Sequence, residues 1–264
     1  MTPTPTWDPQ QYLRHADHRG RPFVDLLARV PALPGEPARI ADLGCGPGNV
    51  TTLLTERWPT ARITGYDNSP QMLEQARAHA SDRLDFAYAD AADWAPTETY
   101  DLLMSNATLQ WVPDHAEAFP RWIDAVAPGG TFAFQVPGNF DAPSHVLMRE
   151  LAESAHWKGR LAGVLRHGDA VLTPAAYLER LAGLGCEVDA WETTYMHLLA
   201  GADPVLDWVK GTGLRPVLTA LADDPEARDA FVAEYRDLLR EAYPATEHGT
   251  VLPFRRIFVV ARRS

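Results

Sequence analysis

The stretch RIADLGCGPGNVTTLL, Arg39 to Leu54, sets three glycines at alternate positions between a short apolar run and an amphipathic segment. The run is bounded by Pro37 and Gly44 and suits a buried strand. Past the glycines, Val50, Leu53, Leu54 and Trp58 share one helical face, which Pro59 closes. A strand that feeds a helix through a glycine loop is the opening unit of a parallel sheet. The chain repeats that rhythm. A helix is expected in RPFVDLLARV before it, and strands in ARITGYD, LDFAYADA, YDLLMSNA and GTFAFQVP. Ser69 and Pro70 form a cap and first turn for a helix reaching about His79, and HAEAFPRWIDAVA supplies another. The pattern predicts an α/β protein with a doubly wound, mostly parallel sheet of seven strands over 1–264, read as one domain. Residues 20–137 form its ligand-binding core. Segments 138–183 and 200–250 read as helical insertions capping the sheet, and 184–199 and 255–263 as late strands completing it.

In such sheets ligands lie outside the carboxyl ends of the strands. A dinucleotide fingerprint reads G-x-G-x-x-G. Here the spacing is Gly44-x-Gly46-x-Gly48, and Pro47 removes an amide that would greet a phosphate. Asp42, at the end of the first strand, suits an ammonium rather than a phosphate. A zwitterionic amino-acid tail fits this loop better than a diphosphate. Asp67 ends the second strand about 20 residues after the last glycine, where a carboxylate accepts ribose hydroxyls. Asn68 stands beside it. Asp90, closing the third strand between Ala89 and Ala91, is placed for an adenine amino group over a smooth floor. Asn106 closes the fourth strand. Four successive strand ends thus deliver polar side chains to one edge.

Net charge narrows the ligand class. With 24 Lys and Arg against 35 Asp and Glu, the formal charge is −11, which repels polyanions and anionic membrane surfaces at long range. No nucleic-acid or membrane partner is expected. Only Cys45 and Cys186 are present, one of them inside the glycine loop, so a disulfide framework is not expected. No signal peptide or long apolar run is found, and the expected location is the cytoplasm. The nine histidines are dispersed without ligand spacing, and no metal is expected. Trp94, Trp111 and Trp122 read as core.

Asp42, Gly44, Gly46, Gly48, Asp67, Asp90 and Asn106 together resemble the motifs of class I S-adenosylmethionine-dependent methyltransferases, over residues 20–137. The segments TTYMHLLAGADPVLDWVKGTGLRPVL, EAYP and LPFRRIFVVAR, with WDPQQYL and RPFVDLL, are similar more narrowly to the trans-aconitate methyltransferases. Arg255 departs from that pattern, which favours proline there. The resemblance implies S-adenosyl-L-methionine as cofactor and a small polycarboxylate as the methylated substrate. Arg21 is assigned to the cofactor's carboxylate, while Tyr12 and Trp7 are assigned as lids.

A trianion needs local cations in a chain of this charge. His18, Lys210, Arg215, Arg255 and Arg256 are the expected substrate-binding set, with Tyr195 and Trp208 lining the pocket. No His-Asp or Cys-His arrangement is present, so no catalytic base is assigned. The rivals are a carboxyl methyltransferase acting on a malonyl carrier protein, another small-molecule methyltransferase acting on a phenol or amine, an NAD-linked oxidoreductase, and a non-catalytic cofactor-binding module. The G-x-G-x-G loop with Pro47 fits the oxidoreductase badly. The oligomeric state is left open.

Overall fold

The computed structural model describes residues 16–96, 98–165 and 170–264, with side chains from residue 20 onward. Tyr12, Trp7 and the side chain of His18 therefore lie outside the described residues. Seven strands form one sheet in the order β3-β2-β1-β4-β5-β7-β6. They are β1 (Arg39–Leu43), β2 (Arg62–Asp67), β3 (Leu84–Tyr88), β4 (Tyr100–Asn106), β5 (Val126–Pro137), β6 (Cys186–Leu199) and β7 (Thr250–Arg263). β1 to β5 run parallel where they pair, while β7 runs antiparallel to β5, with Pro137 opposite Arg256. Strand order reverses between β1 and β4, which places the switch point at the glycine loop. The expected mostly parallel, doubly wound sheet of seven strands is the observed one.

The sheet body comprises residues 17–137, 170–193 and 256–264. Its helices are α1 (Ala16–Arg29), α2 (Thr52–Arg57), α3 (Pro70–Ala76), α4 (Phe119–Asp124) and α7 (Pro174–Ala182). Ser69 caps α3 by accepting from the Met72 amide at 3.3 Å, as its place before Pro70 predicts. The α1 side chains Phe23, Leu26 and Leu27, and Val30 just past its end, are all buried. At its end Arg29 pairs with Asp189 of β6 at 3.3 Å and lies over the Trp191 ring. An aromatic core centres on Phe119, Trp122, Phe132, Phe134 and Tyr177, all 0% exposed.

The second unit comprises the described parts of residues 138–169 and 194–255. It holds α5 (Pro143–Glu153), α6 (Lys158–Leu161), α8 (Pro204–Lys210), α9 (Arg215–Ala220) and α10 (Pro225–Ala242). Trp157, Trp208, Phe231 and Tyr235 anchor its own core. Two boundaries differ from the expected ones. α7, expected in the helical insertion, belongs to the sheet body, because Tyr177 and Leu181 are fully buried among Phe134 and its neighbours. The last part of β6, from Thr194, and the start of β7 group with the helical unit instead. Alternate residues there, Tyr195, His197 and Leu199, are buried, and His197 stacks on Trp208 with ring centroids 4.8 Å apart. No described helix is long and apolar enough to cross a membrane.

Candidate functional site

At the carboxyl end of β1 the Asp42 side chain is 1% exposed. Its Oδ2 accepts from the Thr51 hydroxyl at 2.7 Å, while Oδ1 is buried without a hydrogen-bond partner among the described residues. Burial pushes this carboxyl up to about 6; the Thr51 bond opposes the shift and Asp67 adds to it. A buried acceptor left unmade is costly. An ammonium group would supply the missing donor and hold the acid ionised.

The loop after β1 is held from below. The Gly44 and Cys45 amides donate to the Tyr66 carbonyl at 2.7 and 2.9 Å. Gly44 adopts φ +83°, and the Thr108 hydroxyl donates to its carbonyl at 3.2 Å, so a side chain there would overlap Thr108. Gly46 adopts φ +57°, and the space its Cβ would occupy is open within 4 Å. The backbone is thus bare on the side a ligand would approach. The Cys45 thiol is buried and donates to the Gly46 carbonyl at 3.6 Å. Burial first, then Asp42 and Asp67, push its pKa far up, so it is an inert neutral thiol.

Asp67 closes β2 and ties two turns together. Its Oδ2 accepts from the Gly46 amide at 2.9 Å and its Oδ1 from the Ser69 amide at 2.8 Å. Burial raises its pKa; the two amides oppose this and Asp90 adds to it. A carboxylate has about four acceptor sites, so two remain for a diol. Asn68 donates from Nδ2 to Asp90 Oδ2 at 3.0 Å, and Asp90 Oδ1 accepts from the Ala92 amide at 2.9 Å. Ala91 is buried in the aromatic core, with its side chain facing inward.

At β4 the structure joins two residues expected to serve different ligands. Asn106 Oδ1 accepts from Gln135 Nε2 at 2.9 Å, and Gln135 Oε1 accepts from Arg256 Nη1 at 3.2 Å. Gln135 is fully buried and Arg256 is 5% exposed, both at the carboxyl edge. Gln135 and Thr51 escaped sequence reasoning. Thr51 carried a legible signal, a hydroxyl on the first turn after the loop, whereas Gln135 lay in an apolar strand with nothing to mark its partners.

The other expected residues are less collected. Arg21 is exposed on α1, 3.8 Å from Asp25. Lys210 ends α8 and pairs with Asp207 of the same helix at 3.6 Å. Arg215 is half-buried at the start of α9. Arg255 donates from Nε to the Gly138 carbonyl at 2.7 Å. Tyr195 is 3% exposed on the last part of β6, and Trp208 is 1% exposed in the core of the helical unit. The helical unit also presents a small pocket on α5, lined by His145 and Arg149, neither of which was singled out from the sequence.

Comparison with known proteins shows the family. Residues 40–130 match the methyltransferase domain family. The chain is 71% identical to a trans-aconitate 2-methyltransferase of Streptomyces coelicolor, over 98% of this chain and 87% of that one. It is 72% identical to a protein of the same name from Streptomyces avermitilis, over 98% and 97%. Among solved structures, an S-adenosylmethionine-dependent methyltransferase from Mesorhizobium loti matches with TM-score 0.52 and 22% identity, covering 94% of this chain and 99% of that chain, a likeness of fold alone.

Proposed function

Because the chain belongs to the trans-aconitate 2-methyltransferase family, whose members use S-adenosylmethionine, we propose that it esterifies one carboxylate of trans-aconitate or a closely related polycarboxylate. The observation that supports the cofactor half of this reading is the buried Asp42 Oδ1, which has no hydrogen-bond partner among the described residues. Asp42 would hold the cofactor's ammonium, the bare backbone at Gly46 its methionine tail, and Asp67 the ribose hydroxyls. Asp90 and Asn68 would meet the adenine edge, and Arg21 the carboxylate of the cofactor's methionine part.

When bound, S-adenosylmethionine supplies a methyl group on a positively charged sulfur. The acceptor carboxyl, with a pKa near ~4, is already ionised at pH 7, so no residue has to remove a proton from it. Cys45 and Tyr177, both held protonated by burial, are unfit as bases, which suits a reaction that needs none. The chain's task is to bind and align. Fixing the reacting oxygen in line with the methyl group is worth roughly 7–11 kcal/mol when the geometry is near that of attack. Arg215, Arg255 and Arg256 would grip the non-reacting carboxylates, with Lys210 and His18 as further cations. Arg256 is held for that work by Gln135.

The test is transfer of labelled methyl from S-adenosylmethionine to a panel of polycarboxylates. Base-labile ester on trans-aconitate is the expected product, and label on none of the acids would refute the reading.

A further inference from the structure

Among the described residues only Ala107 and Asp114 hold a positive φ without being glycine, at +55° and +50°. Aspartate tolerates the left-handed region through its short polar side chain. Alanine does so at a cost, because its Cβ crowds the carbonyl that follows. Ala107 stands one residue past the end of β4, half-buried between Asn106 and Thr108. Strain of this kind persists only where the surroundings fix it, and functional sites are where it collects.

Both backbone groups of Ala107 are held. Its amide donates to the Gln135 carbonyl at 2.9 Å, which carries the β4–β5 pairing one step beyond Asn106. Its carbonyl accepts from Gln110 Nε2 at 2.6 Å. The left-handed residue turns the chain out of the sheet toward the first glycine of the loop. Thr108 arrives there with its hydroxyl proton shared between the Gly44 carbonyl at 3.2 Å and the Asn106 carbonyl at 3.3 Å. The Thr108 hydroxyl and methyl fill the space that a Cβ on Gly44 would need. Beyond it runs the 3-10 turn Leu109–Trp111, closed by the Trp111 amide on the Thr108 carbonyl at 2.8 Å and seated on buried Leu109. An extended residue at 107 would continue along the strand and carry Thr108 away from Gly44. All of these residues belong to the sheet body, as do the glycine loop, Asp42 and Asp67.

We propose that Ala107 and Thr108 are positioning residues for the cofactor: the left-handed turn sets Thr108 against Gly44 and so fixes the glycine loop and the Asn106 strand end in one geometry before the ligand arrives. A loop set in advance lowers the ordering cost of binding. That the ligand is S-adenosylmethionine rests on the methyltransferase reading above; the turn rests on its own φ and hydrogen bonds.

The experiment measures calorimetric affinity for S-adenosylmethionine, at a temperature where each protein is folded, and the melting temperature without ligand. Thr108→Val keeps the shape and drops the hydroxyl, and is expected to weaken affinity by about threefold to tenfold, the loss of one neutral hydrogen bond. Thr108→Ser, which keeps the hydroxyl, should restore it to within about twofold. Ala107→Gly should melt about 2–4 °C above wild type, because relief in the folded state outweighs the freedom gained by the unfolded chain. Asparagine tolerates the left-handed region and β-branched valine does not, so Ala107→Asn should bind about as wild type does and Ala107→Val about threefold to tenfold more weakly. If Ala107→Val fails to fold, Thr108→Val decides. Affinity of Thr108→Val within about twofold of wild type, or equal affinity in the asparagine and valine variants, overturns the positioning role. Ala107→Gly melting below wild type overturns the strain on which it depends. Absence of binding to the wild type overturns the cofactor reading and this role with it, a result distinct from wild-type binding that the variants share.

Discussion

Gln135 donates to Asn106 Oδ1 at 2.9 Å while its other amide atom accepts from Arg256, so one buried side chain orients a strand-end amide and a buried guanidinium together. Asn106 sits on the cofactor side of the expected site and Arg256 on the substrate side. The bond also fixes the Asn106 amide: with Oδ1 engaged, Nδ2 is the atom left to donate. Coupling of this kind predicts effects that spread to both ligands.

Gln135→Leu replaces the linking amide by an apolar group of similar size. It leaves buried polar atoms on both sides without that partner and is expected to lower stability by about 1–3 kcal/mol, read by urea denaturation. Affinity for the cofactor and KM for the acceptor should worsen together. A variant as stable as wild type with only one of the two affected would show that the bridge does not couple them.

Asp42 is raised from 3.8 to about 6 by burial. Between these values the folded chain holds more protons than the unfolded one, so this group makes stability fall as pH rises through the window. Above it the cost is constant, on the order of 3 kcal/mol. Asp42→Asn should therefore become increasingly more stable than wild type from pH 4 to 7 in the absence of ligand, measured by denaturation across that range. A stability difference that does not vary with pH would contradict the buried acid. The same variant should bind the cofactor less tightly, since the ammonium then loses its counter-charge.

Arg215→Ala should raise the acceptor's KM by about tenfold while cofactor affinity holds, as expected for loss of a charged hydrogen bond to the substrate. Steady-state kinetics with calorimetry separates the two effects. A normal KM removes Arg215 from the pocket.

The part of the site legible in the sequence is the part built from strand ends. Asp42, Gly44, Gly46, Asp67 and Asn106 are each placed by a short apolar run that stops at them, so a period-two pattern and a glycine triplet suffice. What escaped depends on which distant segments meet. Gln135 lies 29 residues from Asn106 and 121 from Arg256, and nothing local marks it as polar by design. α7 shows an apolar stripe, but a stripe does not say which layer it covers, and Tyr177 and Leu181 chose the sheet body. Tyr195 and Trp208 carry aromatic chemistry that suits a pocket wall, and both side chains are buried.

The central claim is that the loop from Asp42 to Gly48, with Asp67, holds S-adenosylmethionine. Calorimetric titration of that compound into wild type and Asp67→Ala in parallel tests it most directly. Saturable one-to-one binding is expected for the wild type, weakened by about 1–3 kcal/mol in the variant. No heat from the wild type at millimolar ligand, or equal affinity in the two proteins, would contradict it.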